Sequence, residues 1–205
     1  MRLNLGCGNK KIPGYIGVDK YGEAADINCD LMGFEPENGP PIEEIVMFHV
    51  IEHFTQGDGI ELLSRCHRWL EPGGKLVIET PERDKALKLV RSGKEHHFKR
   101  KVWRPLGLAV LIGGEHGRED EIPFYDWMRF NRERIAFHVQ KTGGFPPDLI
   151  PEEFRGEPGI NHRFIWKQNQ LADCMRIAGF KTTIKDPETH ARRKNRDFRI
   201  EGVKL

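Results

Sequence analysis

The sequence RLNLGCG, residues 2–8, joins a short apolar run to a turn that contains two glycines. A run of this composition predicts a β-strand over residues 2–5. Glycine adopts a positive φ without steric cost and lets the backbone pass close to a ligand. A glycine pair alone is weak evidence, since any tight turn can need glycine. In open parallel sheets, however, ligands bind at the carboxyl ends of the strands, so this turn is the first candidate for a binding site.

A second apolar run, residues 15–18, ends in an acid, Asp19. Only residues 6–14 separate it from the first run, which is close to the lower limit for a parallel crossover and leaves room for one or two helical turns at most. In dinucleotide-binding folds an acid at this position accepts hydrogen bonds from two ribose hydroxyls. The third glycine of the dinucleotide fingerprint is absent and two lysines, Lys10 and Lys11, stand near where a pyrophosphate-binding helix would open, so the pattern disfavours NAD.

The rest of the chain alternates between strand and helix patterns. In chain order we predict strands over 25–31 and 44–48, a helix over 60–70, a strand over 75–80, a helix over 167–178, and strands over 181–185 and 198–203. The helix over 60–70 is expected to end at the Glu71-Pro-Gly-Gly74 turn. Strand and helix alternate at both ends of the chain, which predicts a mostly parallel sheet flanked by helices.

The composition limits the class of protein. A chain of 205 residues with 38% hydrophobic content suits one domain, and a net charge of +2 favours neither a nucleic-acid binder nor an acid-seeking surface. The four cysteines form no C-x-x-C pair, so we predict neither a disulfide framework nor a zinc knuckle. No signal peptide or membrane-helix pattern occurs, so we expect a cytoplasmic protein without membrane insertion.

The segment FHVIEHF, residues 48–54, matches the H-x-x-E-H pattern of zinc peptidases through His49, Glu52 and His53. In those enzymes the pattern lies within a helix, so that both histidines share one face. Here residues 44–48 predict a strand, which places His49 at the strand end and His53 in the next turn. We therefore predict no metal site. His49 is a candidate functional residue, His53 is expected to pack under the loop, and Glu52 to accept backbone N–H groups at the start of the next helix.

Five motifs follow one another along the chain: LNLGCG, IGVD, NCDL, VMFHVIEHF and LEPGGKLVIETP. In this order they resemble the motifs of the class I S-adenosylmethionine-dependent methyltransferases, particularly the group with HV-hydrophobic-EH after the fourth strand. The resemblance covers residues 2–81 and, in pattern, 167–204. It implies a Rossmann-like, seven-stranded sheet whose last strand, here 198–203, is antiparallel. The chain departs from the family in its shortened first crossover, which reduces or removes the helix behind the cofactor loop.

The resemblance also implies S-adenosyl-L-methionine as cofactor, with S-adenosyl-L-homocysteine as product. It assigns Gly6, Cys7 and Gly8 to the amino-acid part of the cofactor, Asp19 to the ribose, Lys20 to the same cofactor site, Asp30 and Leu31 to the adenine, and His49 to the methionine portion. Methyl transfer mainly requires alignment in a dry site, so a general base is optional. If the acceptor is a hydroxyl, the candidate bases are His49 and, more weakly, His96, His97 and His162.

The insertion over 82–163 is the expected acceptor-binding subregion of a single domain, 1–205. Its segment 83–104 holds nine Lys and Arg residues against two acids. This basic run suits an anionic small acceptor or acidic glycan, or a nucleic acid on which Trp103 stacks, or it is a solvated helix face. Tyr125 and Trp127 are candidates for the acceptor pocket, and residues 191–196 are either a second anion contact or a plain loop.

Of these acceptors, a small molecule or sugar is preferred. The fourth-strand motif is FHVIEH and not the Asp/Asn-Pro-Pro-aromatic type that base amino-methylating enzymes resemble. The main alternative is a nucleic-acid methyltransferase or binding module that uses the basic segment 83–104. A zinc hydrolase, and a binding-only relative without turnover, are the remaining hypotheses.

Overall fold

The computed structural model describes residues 1–37, 39–92, 95–98, 102–105, 131–144, 162–189 and 193–205. The chain divides into two compact units, residues 1–80 with 168–205 and residues 81–167. No helix among these described residues is long and apolar enough to cross a membrane.

The first unit contains a seven-stranded sheet. Its elements are β1 (Arg2–Leu5), β2 (Ile16–Asp19), β3 (Ile27–Asn28), β4 (Ile42–Phe48), a 3-10 turn (Ile51–His53), α1 (Gln56–Trp69), β5 (Leu70–Pro81), and then α4 (Gln168–Ile177), β8 (Phe180–Lys185) and β9 (Asp197–Lys204). The strand order is β3-β2-β1-β4-β5-β9-β8. Strands β1 to β5 pair in parallel, and β9 runs antiparallel to β8. The predicted fold, with an antiparallel last strand, is confirmed.

Register brings the carboxyl ends of the inner strands to one edge. Leu5 at the end of β1 pairs with Val18 on one side and with Met47 on the other, and Phe48 at the end of β4 pairs with Glu79. Loops that follow β1, β2 and β4 therefore meet at this edge, which we call the carboxyl edge. This is where ligands bind in open α/β sheets.

The core explains why these segments form strands and helices. The inward side chains of β1 and β4, including Leu5, Ile45 and Met47, are fully buried. Helix α1 places Leu62, Leu63 and other apolar residues in the core at helical spacing. The sheet thus gains its stability from apolar strands that are covered on both faces.

Three elements differ from the sequence-based prediction. β3 spans two residues where seven were predicted, and Ile27 remains partly exposed. β5 begins at Leu70, not at 75, because Leu70 already pairs with Ile42 across a register shift. α1 begins at Gln56, not at 60, and residues 71–74, predicted as the turn that ends it, lie within β5. In the first crossover, residues 6–15 form turns and no helix, as its short length predicted. The apolar pattern did not predict the first and last residues of these elements, because a strand starts and ends where its residues find pairing partners.

The second unit contains α2 (Arg83–Arg91), the antiparallel hairpin of β6 (Glu95–Phe98) and β7 (Val102–Pro105), and α3 (Arg132–Thr142). The apolar faces of α2 and α3 are buried. Residues that follow α3 bond back to its end, since Ile165 N–H donates to the Gly143 carbonyl at 2.8 Å.

Candidate active site

The turn after β1 requires glycine at two positions for different reasons. Gly6 and Gly8 both have positive φ, +67° and +54°. A Cβ on Gly6 would lie 2.5 Å from Cγ2 of Val50, whereas a Cβ on Gly8 would meet no atom within 4 Å. Gly6 is therefore packed against the chain behind it, and Gly8 faces open space. The open side is where a ligand can approach the backbone closely.

Asp19, at the end of β2, holds this turn in place. Its carboxylate accepts hydrogen bonds from the backbone N–H groups of Gly8 at 2.9 Å, Tyr21 at 2.8 Å and Gly22 at 2.7 Å. A carboxylate offers about four lone-pair positions, so these bonds leave about one free. Asp19 thus combines a structural role, which the sequence did not predict, with room for one further donor.

Gly22 is a site residue that sequence reasoning missed. A Cβ at this position would lie 2.2 Å from the carbonyl oxygen of Gly8, so only glycine allows the loop after β2 to approach the turn after β1. The spacing of Asp19 and Gly22 could have indicated this role. An Asp side chain that accepts backbone N–H groups two and three residues later forms a tight turn.

The thiol of Cys7 points away from the turn, so only the backbone of this residue is placed to contact a ligand there. The side chain is buried, and a Cβ built on Gly17 would lie 2.9 Å from its Sγ, so the thiol faces β2. Burial raises the pKa of the Cys7 thiol, and the nearby charge of Asp19 raises it further. The thiol is therefore neutral and inert at physiological pH.

The residues predicted to lie near the adenine come together beside Asp19. Lys20 Nζ contacts Asp30 Oδ2 at 3.1 Å, and Asp30 Oδ1 accepts the Met32 N–H at 3.0 Å. The hydrogen bond from the Met32 N–H is the largest cause that lowers the pKa of Asp30, and the contact with Lys20 lowers it further. Leu31 is buried in the same loop. This pair joins the loops that follow β2 and β3.

Arg65 of α1, which the sequence analysis did not single out, holds the loop after β3. Its guanidinium is buried and donates to the carbonyls of Leu31 at 3.2 Å, Met32 at 2.7 Å and Phe34. Glu35 completes the arrangement with a 3.0 Å ion pair to Arg65. Arg65 could have been identified from the sequence, because it is a cation on the buried face of an amphipathic helix. A buried cation needs hydrogen-bond partners.

A cavity of about 470 Å³ lies beside this loop, over one face of β1 to β3. Its walls include Met1, Leu3, Ile16, Ile27, Cys29 and Phe34. Met1 precedes β1 and Ile16 begins β2, and neither glycine of the turn nor Asp19 lines the cavity. The cavity is therefore separate from the carboxyl edge.

At the end of β4 a second cluster forms around His49, which has a φ of +57° although it is not glycine. Nδ1 of its ring lies 3.0 Å from Glu52 Oε1, and Nε2 lies 3.1 Å from Asp197 Oδ2. Arg193 Nη1 is 3.2 Å from the same Nε2. The His49 side chain is 14% exposed, and both carboxylates are fully buried. We call His49, Glu52, Thr80, Arg193 and Asp197 the strand-four cluster.

The cluster holds His49 in its charged form. Burial by itself would lower the pKa of His49, but hydrogen bonds to Asp197 and Glu52 outweigh burial and raise it to about 9. For Asp197, burial opposes ionisation, while hydrogen bonds from His49 and Arg196 lower its pKa. With both ring nitrogens protonated, Nδ1 donates to Glu52 and Nε2 donates to Asp197, so Arg193 Nη1 lies beside Nε2 as a second cation and does not donate to it. In that form the ring has no lone pair for an acceptor's proton, and the general-base role of His49 stays a prediction.

Glu52 does not have the predicted role at the next helix. Thr55 caps α1, because its Oγ1 accepts the Asp58 N–H at 3.2 Å. Glu52 instead accepts the Thr80 hydroxyl at 2.8 Å and pairs with His49. His49 directly follows β4, whereas Glu52 and His53 lie in the 3-10 turn. The two histidines do not share a helical face, so the zinc-peptidase geometry is absent from this segment.

The candidates for acceptor binding lie partly outside the described residues. Tyr125 and Trp127 lie outside the described residues, as do 191–192 and parts of the basic run 83–104. His96 and His97 lie in β6 and Trp103 in β7, where the structure describes the backbone course only. His162 is buried in the second unit.

Two arginines of the segment 191–196, predicted to be either an anion contact or a plain loop, contact members of the strand-four cluster. Arg193 reaches His49, and Arg196 binds Asp197 through Nε at 2.7 Å and Nη2 at 3.3 Å. Both guanidinium groups therefore face the carboxyl edge. The sequence showed only a basic run.

Comparison with solved structures identifies the fold. An S-adenosylmethionine-dependent methyltransferase from Clostridium acetobutylicum has a TM-score of 0.56 at 9% identity, with 99% of this chain and 83% of that chain covered. The 1,6-didemethyltoxoflavin-N1-methyltransferase of Burkholderia thailandensis has a TM-score of 0.54 at 11% identity, covering 100% of this chain and 70% of that one. The glycopeptide N-methyltransferase MtfA has a TM-score of 0.54 at 12% identity, with coverages of 100% and 81%.

A sequence comparison with curated proteins returns no match. Among protein families, one described as a methyltransferase domain matches residues 6–141. This match includes the turn after β1, Asp19 and the strand-four segment 48–54. Membership of the group with HV-hydrophobic-EH stays a prediction. The family match spans more than half of the chain and the fold agrees with it, so the chain belongs to the class I S-adenosylmethionine-dependent methyltransferases.

Proposed function

We propose that this methyltransferase transfers the methyl group of S-adenosylmethionine to a small-molecule or sugar acceptor at the carboxyl edge of the sheet. The observation that carries the cofactor site is the turn after β1, where Gly8 has a positive φ and no neighbour on its open side. Asp19, next to this opening, is the acid at the end of the adjacent strand.

The residues present fit the cofactor. A side chain at position 8 would fill the space beside the turn, and Asp19 keeps about one acceptor position for a hydroxyl. Lys20, the residue after Asp19, pairs with Asp30 of the loop after β3 at 3.1 Å. When bound, the cofactor supplies a methyl group on a positively charged sulfur. The chain's own task is to hold the turn, the loop after β3 and the end of β4 in fixed positions, because alignment dominates the rate of such a displacement.

The proposal of a small acceptor draws on the similar structures and on charge. Their names describe methyltransferases that act on 1,6-didemethyltoxoflavin and on a glycopeptide. In this chain, Arg193 and Arg196 face the carboxyl edge from the loop before β9. Guanidinium groups suit an anionic group on the acceptor, such as a carboxylate or phosphate.

Calorimetry with S-adenosylhomocysteine tests the cofactor site. We expect wild-type protein to bind the nucleoside and Asp19→Ala to bind at least about tenfold more weakly, since a charge-assisted hydrogen bond and the position of the turn are both lost. Asp26→Ala is the matched control: Asp26 also accepts a backbone N–H, that of Gly17 at 2.9 Å, but does not contact the turn. Absence of binding by folded wild-type protein would contradict the proposal.

The acceptor is identified by incubating the enzyme with labelled S-adenosylmethionine and a panel of phosphorylated sugars, nucleotide sugars, glycopeptides and neutral analogues. We expect label in one of the small-molecule classes. Transfer to RNA or DNA alone, together with a gel shift that weakens steeply with salt, would replace this acceptor class with nucleic acid.

A further inference from the structure

Asp197 is a buried acid whose carboxylate joins two distant parts of the first unit. It begins β9 and is fully buried, and its oxygens contact His49 Nε2 at 3.1 Å and Arg196 Nε at 2.7 Å. A carboxylate is tolerated in such a place only when it is paired and hydrogen-bonded. The pairing with His49 ties the start of β9 to the end of β4.

The contact with Asp197 helps to fix the backbone conformation of His49. Its positive φ is uncommon for a residue with a side chain and persists only where the surroundings hold it. Contacts within the described part of the chain help to hold it: its N–H donates to the Glu79 carbonyl at 2.8 Å, and its ring nitrogens bind Glu52 and Asp197. The conformation of His49 sets the direction in which the next residue, Val50, leaves the strand.

Val50 in turn supports the turn after β1. Its side chain is 6% exposed and fills the space behind Gly6, where an added Cβ would lie 2.5 Å from Cγ2 and 2.9 Å from Cγ1. Packing this close leaves no free volume between the two residues. A displacement of Val50 therefore displaces Gly6, and with it the turn that ends in Gly8.

We propose that Asp197 is a positioning residue for the cofactor turn, acting through His49 and Val50 on Gly6. The proposal rests on the proposed function, because it assumes that the turn binds S-adenosylmethionine and its product. It adds a residue from the last strand, which the family match over 6–141 does not include.

The proton of His49 makes this connection pH-dependent. The charged groups that face its ring are Glu52 from the 3-10 turn, Asp197 from β9, and Arg193 from the loop before β9. Arg196 adjoins Asp197 from the same loop. When the ring loses its proton, only one nitrogen can donate, so one of the two carboxylates loses its hydrogen bond from His49.

Titration calorimetry with S-adenosylhomocysteine tests the proposal in wild-type protein and three variants. We expect Asp197→Ala to weaken binding about tenfold, and Asp197→Asn, which keeps an oxygen toward His49, to weaken it about threefold. Glu201→Gln is the matched control, since Glu201 lies on the same strand and pairs with Lys185 and Arg199 without contacting His49. Its affinity should equal that of wild type.

A pH series separates positioning from a general loss of structure. Wild-type affinity should fall as the pH approaches about 9, and in Asp197→Asn this fall should begin at lower pH, because the neutral amide no longer stabilises the His49 cation. The Glu201→Gln control should follow the wild-type profile. Circular dichroism of the same samples gives the folded fraction at each pH, and positioning predicts a fall in affinity that remains after correction for this fraction.

The outcomes are distinguishable. Wild-type affinity in folded Asp197→Ala, or an unchanged pH profile in Asp197→Asn, overturns the positioning role and leaves the proposed function intact. Absence of binding by folded wild-type protein overturns the proposed function and this proposal together. Should Asp197→Ala fail to fold, the pH profile of Asp197→Asn decides.

Discussion

The turn after β1 and the strand-four cluster lie at the same edge of the sheet but are built in opposite ways. The turn uses neutral backbone N–H groups that converge on Asp19, all from residues 8–22. The cluster uses charged side chains, and its contact between Arg193 and His49 spans 144 residues. The first is a local structure set by glycine and one acid. The second exists only because the last strand returns beside β5.

This difference predicts different sensitivities. Steric changes should damage the turn, because its backbone conformation requires glycine and leaves no room behind Gly6. Changes of pH should damage the cluster, because its contacts depend on a proton held by His49.

Gly6→Ala should have the largest effect. The new Cβ would meet Val50 at 2.5 Å in a backbone conformation of positive φ, so we expect a loss of about 3 kcal/mol or more in the free energy of unfolding. Gly14→Ala is the control, because Gly14 also has a positive φ but open space around it, and it should lose only about 1 kcal/mol. Urea unfolding measures both. Equal losses would show that φ alone, and not Val50, restricts position 6.

The stability of the first unit should decrease as pH rises from about 6.5 to 9. The folded state raises the pKa of His49 to about 9, so the folded state binds more protons than the unfolded state in this window, and its stabilisation is complete below the window. We expect a loss of up to about 3 kcal/mol across it.

Denaturant unfolding at several pH values measures this effect, with His49→Gln as the comparison. Glutamine can donate one hydrogen bond but does not titrate, so its stability should vary much less over the same window. A wild-type profile as flat as that of His49→Gln would show that His49 is not charged in the folded protein.

Asp19→Asn should destabilise the protein by about 1–2 kcal/mol, because an amide offers one acceptor oxygen where three N–H groups converge. Unlike the loss of stability that involves His49, this loss should be the same at pH 6.5 and 9. A pH-dependent difference from wild type would mean that the turn and the cluster are coupled electrostatically, contrary to the contrast drawn above.

Lys20→Ala should have the smallest effect. Its contact with Asp30 is exposed, so we expect no measurable change in thermal unfolding. Affinity for S-adenosylhomocysteine should fall about two- to threefold, because Lys20 orients Asp30 beside the opening. Lys11→Ala, which removes another exposed pair on a neighbouring loop, should leave the affinity unchanged. Equal affinities of all three proteins would remove Lys20 from the cofactor site.

Much of the fold was predictable because local apolar patterns persist in the folded state. The strand predicted at 2–5 and the helix predicted near 167–178 match β1 and α4 within a residue or two. β3 was overestimated because a pattern does not reveal how many residues find a partner at a sheet edge. The candidate site followed the same rule, since Gly8 and Asp19 were identified by their place after strands.

The strand-four cluster was predictable only in part. His49 was singled out by its place at a strand end, but its partner Asp197 was not predicted, because that residue is far from it in sequence. A histidine's proton affinity depends on the groups that surround it. Without those partners, a neutral ring that accepts protons was the natural expectation.

Residues close together in the chain specify the strands on both sides of the turn after β1, the glycines in that turn and the acid at the end of β2. Only the tertiary structure decided that His49 is a charged link between two buried carboxylates. The physical reason is that the pKa of His49 depends on the positions of Glu52 and Asp197, and Asp197 reaches it only when β9 completes the sheet.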